Sequence, residues 1–244
     1  MSNLLLNRIK AWIKEIRDSV KIKLDGKENK VTQNNPVLKN ISIICIGNNN
    51  NIEIQQSILK NSTILINGNN NTIRINKNTN LSESTIKISG NDHSLEIGSG
   101  CRIKETSFWF EDYENTINMG IGTTCEGAHI AATENQGKIE IGYDCMLSFG
   151  IDIRNGDSHA ILDSETGKRI NSAGDVIIGN HVWIGAHVQI VKNTIIEDGS
   201  VIGIRSLVSK NIPQNCIAAG NPAKIIKEKI KWERDRSAWQ KATK

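Results

Sequence analysis

The chain has 244 residues, 38% of them hydrophobic but only 4% aromatic, and a formal net charge of +4. So little aromatic volume argues against a large globular core, and the mild charge, with no basic stripe interleaved with aromatics, argues against nucleic acid as a partner. No apolar run reaches the roughly 18 residues of a membrane span, and Leu4-Leu5-Leu6 is too short for a signal-peptide core, so a cytoplasmic location is expected.

Residues 2–20 read as an amphipathic helix, with Leu5, Ile9, Trp12, Ile13, Ile16 and Val20 on one stripe. Packing on a partner chain is preferred for it over peripheral contact with a membrane surface. Residues 25–38 are polar, contain Pro36 and read as a linker, so 1–38 forms an N-terminal helix-and-linker unit. A repeat begins near Cys45. Gly47-Asn-Asn-Asn-Asn-Ile-Glu-Ile, Gly68-Asn-Asn-Asn-Thr-Ile-Arg-Ile and Gly90-Asn-Asp-His-Ser-Leu-Glu-Ile are versions of one unit, and the first apolar residue of each strand core falls at 52, 73, 95, 117 and 139. Asn tolerates the left-handed conformation of a tight corner, and stacked amides can hydrogen-bond along an Asn ladder.

From Ile178 to Pro213 the period tightens to six. An aliphatic residue recurs at 178, 184, 190, 196, 202 and 208, and Val182, Val188, Thr194, Ser200, Ser206 and Ile212 follow four places later. One short strand and one corner per hexad build a solenoid, whose thin core is filled by stacked Ile, Val and Leu. The register breaks between Ile153 and Val176, where a polar segment, 154–175, is thrown out; such a loop in a regular solenoid is usually functional. The solenoid domain is placed at 39–222, and 223–244 reads as a polar C-terminal helix carrying Ile226, Ile230 and Trp239. The five Cys fit no disulfide framework. Cys101, Cys125 and Cys145 each stand four places after an Ile, in the small inward slot, and read as buried side chains stacked in neighbouring coils.

The run Ile178-Gly-Asn-His-Val-Trp-Ile-Gly185, with Ser206-Leu-Val-Ser-Lys-Asn-Ile-Pro213 and Ala219-Gly-Asn-Pro-Ala-Lys224, resembles the left-handed β-helix, hexapeptide-repeat acyltransferases. The loop segments Asp157-Ser-His-Ala-Ile-Leu-Asp163 and Thr166-Gly-Lys-Arg-Ile-Asn171 are similar to the branch that O-acetylates sugars of bacterial capsules and lipopolysaccharides. The resemblance covers about residues 140–230 and implies an all-β, left-handed parallel β-helix with short terminal helices. It implies a homotrimer with acetyl-CoA in a groove between subunits, a saccharide acceptor and no metal. His159, the only His on the loop, matches the family's catalytic His. A sugar hydroxyl needs such a base to take its proton as it attacks a thioester. Asn155 and Asp157 are both open as residues that orient its ring. By resemblance Trp183, an outward aromatic, lies near the acetyl end of the cofactor, Ala186, Ile204, Ser209 and Lys210 line the pantetheine path, and Lys224 and Lys227 meet the phosphates. The chain departs from the family at Gly203-Ile-Arg, where Gly-Ala-Gly is common, and at Asn193, a corner often held by Gly.

Three other readings compete. N-acetylation of an amino sugar or small acceptor uses the same donor. A carbonic-anhydrase-like metal site is raised by His181 and His187, but six residues carry the chain to the next side of the coil, so the two point apart and three convergent ligands are not found. A non-enzymatic scaffold leaves the loop unexplained.

Overall fold

The structure is a computed structural model that describes residues 19–237. It is a parallel β-solenoid of three faces, visited in the same order in every coil. Strands such as Arg102–Lys104, Met146–Leu147 and Trp183–Ile184 make the first face. Ser107–Phe110, Ile151–Arg154 and Gln189–Ile190 lie on the second, and Thr116–Met119, Lys138–Ile141 and Val176–Ile178 on the third. The third face is a separate eight-stranded sheet; the other two are joined because Val37–Ile46 and Ile58–Asn67 run through both.

The core follows from the repeat. The periodic residues 52, 73, 95, 117 and 139 are register partners up the third face, continued by Val176 and Thr194. All twelve hexad positions from Ile178 to Ile212 are buried. Each buried Ile removes a whole aliphatic side chain from water, about 1.5–3 kcal/mol of transfer free energy. Stacking coils at ~4.8 Å lets identical side chains fill one column, so aromatic bulk is unnecessary.

The Asn corners lie where the second face turns into the third. Asn49 and Asn70 have φ of 58° and Asp92 61°. Three ladders run along this edge. Asn48 Nδ2 donates to Asn69 Oδ1 and Asn69 Nδ2 to Asn91 Oδ1, while Asn49, Asn70 and Asp92 repeat the pattern outside. An inner ladder joins Asn71 to Asn50 and Asn50 to Asn29, each amide also closing on a backbone carbonyl. Between the third and first faces the corner is instead held by Gly98, Gly120, Gly142 and Gly179. A Cβ on Gly142 would stand 2.5 Å from the Gly179 carbonyl oxygen of the next coil, so only glycine lets the coils close here.

Four expectations need correction. The helix over 2–20 lies outside the described residues except for its last two, and Val20 already opens the strand Val20–Asp25. The linker over 25–38 contains Lys30–Gln33, and Val37 begins another strand; the solenoid therefore starts a coil earlier than residue 39. The C-terminal helix is absent among the described residues. Lys224–Lys227 pairs antiparallel with Ile217–Ala219, because the last coil offers a free strand edge that outweighs helix propensity. Cys125, finally, does not share a column with Cys101 and Cys145. Ile121 occupies an exposed corner instead of the core, at 64% exposure, which shifts the register. Cys101 and Cys145 stack on either side of Thr123, whereas Cys125 follows Ile103 in the next column. Burial pushes the Cys101 and Cys145 thiols up to about 11, far from reactive thiolates.

Candidate active site

The loop leaves the solenoid at the edge between second and third faces, in the position that Asn turns occupy in earlier coils. Its middle forms a small hairpin, with Ile170 N–H donating to Ile161 O and Asp163 N–H to Lys168 O. The Asp163 carboxylate caps that turn by accepting from Thr166 N–H and Oγ1, which holds it below the usual carboxylate range. His159 is exposed on the stretch that leads into the hairpin.

The two residues offered as orienters of the His159 ring have other partners. Asn155 is buried, and its Oδ1 accepts Thr133 N–H at 2.7 Å, tying the start of the loop to the coil below. Asp157 accepts from Lys192 Nζ at 2.6 Å and from Asn171 Nδ2 at 2.9 Å, and these bonds hold its carboxyl below the usual range. Among the described residues no hydrogen bond joins either to the imidazole. Asn171 Nδ2 instead donates to the His159 backbone carbonyl at 2.7 Å. Arg169 pairs with Glu134 at 2.8 Å, pinning the hairpin to the same edge one coil earlier.

Trp183 projects from the first face, 40% exposed, between Met146 and Val201 in adjacent coils. Ala186 and Ile204 follow at the edge between first and second faces, Ala186 nearly buried and Ile204 exposed. Lys224 pairs with Ala219 at the top of that edge, and Lys227 with Ile217. Ala186, Ile204 and Lys224 thus climb one edge, and Trp183 stands on the first face before it. Ser209 and Lys210 are exposed on the other edge, one coil above Val191 and Lys192 and on the side from which the loop emerges. The sequence-derived residues therefore divide between the first face with its edge to the second and the edge between second and third faces.

A further cluster lies beside Trp183. The tail folds back so that Trp232 stacks on His181, with ring centroids 4.0 Å apart and 7° between planes, and its ring centre lies 6.0 Å from that of Trp183. Trp232 Nε1 donates to His181 O at 2.8 Å. Arg234 donates to Asp144 Oδ1, to the Asp144 and Cys145 carbonyls and to Thr124 Oγ1. Burial tends to raise the Asp144 carboxyl, but bonds to His181 and Arg234 outweigh it and hold it low. Sequence reasoning missed this latch and also Lys192. Nothing local marks them, since both depend on which coils stack. His181 and His187 stand on different edges, His187 packed against Phe149, and no three metal-ligating side chains converge among the described residues.

No family model matches the chain. It is 40% identical over 111 residues to a polysialic acid O-acetyltransferase of Escherichia coli O1:K1 / APEC, a stretch covering 46% of this chain and 36% of that protein. It is 42% identical over 113 residues to a polysialic acid O-acetyltransferase of Neisseria meningitidis, covering 46% and 52%. The chain spans about half the length, or less, of these curated relatives. A solved structure of a polysialic acid O-acetyltransferase superposes with a TM-score of 0.77 at 36% identity, over 83% of this chain and 97% of that one.

Proposed function

Since the chain belongs to the hexapeptide-repeat acyltransferase family, we propose that it moves an acetyl group from acetyl-CoA to a sugar hydroxyl of a bacterial surface polysaccharide or its precursor. The observation that carries this reading is the 36%-identical polysialic acid O-acetyltransferase, matched over almost its whole length. In this reading the solenoid winds left-handed and three copies assemble, so that the Trp183 face of one meets the loop edge of the next. The described residues contain no helix long and apolar enough to cross a membrane. Work in the cytoplasm, where acetyl-CoA is made, is the setting we infer.

His159 Nε2 or Nδ1 takes the proton of the acceptor hydroxyl as its oxygen attacks the thioester carbonyl. A C–O bond forms, the carbonyl oxygen gains charge, and backbone N–H groups of the coils are the simplest donors to stabilise it. Collapse breaks the C–S bond, and the imidazolium returns its proton to the departing thiolate. Trp183 flanks the acetyl end, Ala186, Ile204, Ser209 and Lys210 line the arm, and Lys224 and Lys227, exposed on their strand, face the phosphates. No metal enters the reaction. Exposure, and a ring without a hydrogen-bond partner among the described residues, suit His159 to meet an incoming polymer.

The test is acetyl transfer from acetyl-CoA to a panel of capsular polysaccharides, oligosaccharides and nucleotide sugars, polysialic acid included. His159→Ala should lower turnover by ~10²–10⁴ with the oligomer intact. Near-normal turnover in that variant would sink the mechanism. Loss of the product's acetyl group in mild alkali separates an ester from the amide that N-acetylation would give.

A further inference from the structure

We propose that Asn171 is the positioning residue for His159, and that Lys192 holds it in place; this rests on His159 being the base. Asn171 closes the neck of the loop with one side chain. Its Nδ2 donates to His159 O at 2.7 Å and to Asp157 Oδ2 at 2.9 Å. Its Oδ1 accepts from Ile161 N–H at 2.7 Å and from Arg169 Nε at 3.1 Å. Both donor sites and both lone pairs are therefore used. The amide has one orientation only, because the His159 carbonyl can only accept and the Ile161 amide can only donate.

Asn171 is 8% exposed, so the cost of leaving any of these groups unpaired falls on the neck itself. Lys192 fixes the amide from the solenoid side. Its Nζ bridges Asp157 Oδ2 at 2.6 Å and Asn171 O at 2.8 Å, joining the two strands of the neck to the coil above. The residues on either side of His159, at 157 and 161, are thus tied to Asn171, as is the His159 backbone. The imidazole has no hydrogen-bond partner among the described residues, but its backbone is tied to the solenoid through Asn171 and Lys192. A general base misplaced by about 1 Å can lose ~10²-fold in rate, which sets the scale of the effect.

The experiment is steady-state acetyl transfer by the full chain, with Asn171→Ala, Asn171→Asp, Lys192→Ala, Lys192→Arg and His159→Ala. Asn171→Ala should lower kcat ~10–100-fold with KM for acetyl-CoA within about twofold. Asn171→Asp keeps the acceptor but sets oxygen against the Asp157 carboxylate and the His159 carbonyl, so it should match Asn171→Ala. Lys192→Ala should lower kcat in the same direction and Lys192→Arg should restore most of it. In the His159→Ala background, Asn171→Ala should cost nothing more, because it acts through the missing ring. An unchanged kcat in Asn171→Ala, or the same fold loss with and without His159, overturns the proposal. If Asn171→Ala fails to fold, the Lys192 pair decides alone: equal kcat for Lys192→Ala and Lys192→Arg overturns it. Activity retained by His159→Ala would instead overturn the reading of the base, a separate and recognisable result.

Discussion

His93 occupies the place in the inner corner ladder where Asn29, Asn50, Asn71 and Asn115 stand in other coils. Its Nδ1 accepts the Asn115 N–H at 3.1 Å, which requires an unprotonated Nδ1. Nε2 is buried and has no hydrogen-bond partner among the described residues, and burial lowers the pKa of the ring below its ordinary 6.5. The unfolded chain therefore binds a proton that the folded one refuses. The stability this group allows is complete above about pH 6.5 and declines as the pH falls below it. An Asn at 93 would carry no such proton while still offering an acceptor to Asn115. His93→Asn should then show a shallower fall in stability than the parent between pH 7.5 and 5.5, followed by urea unfolding at each pH. Equal slopes would mean that His93 does not titrate on unfolding in this range. The Asn runs themselves are readable in the sequence as stacked turns, since amide chemistry and positive φ both belong to the residue. The exchange of one Asn for His is visible too, but the unpaired Nε2 is a property of the stack.

The tail shows how far an element depends on its surroundings. Lys, Glu and spaced Ile residues after Ala223 have good helix propensity, yet the strand edge at Ile217–Ala219 captures Lys224–Lys227, and Trp232 and Arg234 then anchor the rest on the corner formed by Asp144 and His181. Propensity is worth tenths of a kcal/mol per residue, whereas a strand edge, a stacked indole and a four-bonded guanidinium act together. Trp232 is 7% exposed and lies across a boundary that no local pattern announces. Trp232→Ala should lower stability by about 3 kcal/mol, the lower end of the cost for a buried aromatic because the site is at the surface. Urea unfolding checks it, and a midpoint equal to that of the parent would show the latch to be incidental. The same lesson covers Cys125. Its spacing from Ile121 matches that of its fellows, but the spacing alone could not say that Ile121 faces solvent and that Met119 is the core residue. The hexads between Ile178 and Ile212 have no such slip, and every inward position was legible.

At the scale of the molecule, coils of 21–22 residues carry a longer second face, with a second inward residue such as Ile88, Phe110 or Ala132 and a buried Asn or His at the corner, whereas coils of 18 turn soon after Ile190. The loop is the extreme of that variation: between Ile139 and Val176, partners on the third face, the chain inserts the 154–175 segment without breaking the third-face column. That break was legible as a break in period. Where it points was not, because direction belongs to the prism. His159 leaves the edge between second and third faces, while Trp183 stands on the first face, beyond the edge that carries Ala186 and Ile204. One face of a hexad coil spans ~16–20 Å of extended chain, too far for both to meet one thioester unless the loop of one copy reaches the Trp183 face of another. In the proposed cyclic assembly each site would take its base from one subunit and its indole from the neighbour, across a heterologous interface that closes on itself. This can be decided with two inactive chains. His159→Ala and Trp183→Ala, each near background alone, should regain activity when co-expressed. With random assembly a site is intact when a His159-bearing chain precedes a Trp183-bearing one, which occurs in about a quarter of cases, so activity should approach ~25% of the parent. Chains purified separately and mixed without exchange should stay inactive. If the co-expressed pair also stays at background while both variants assemble normally, base and indole belong to one subunit, and the loop must reach across a face of its own solenoid.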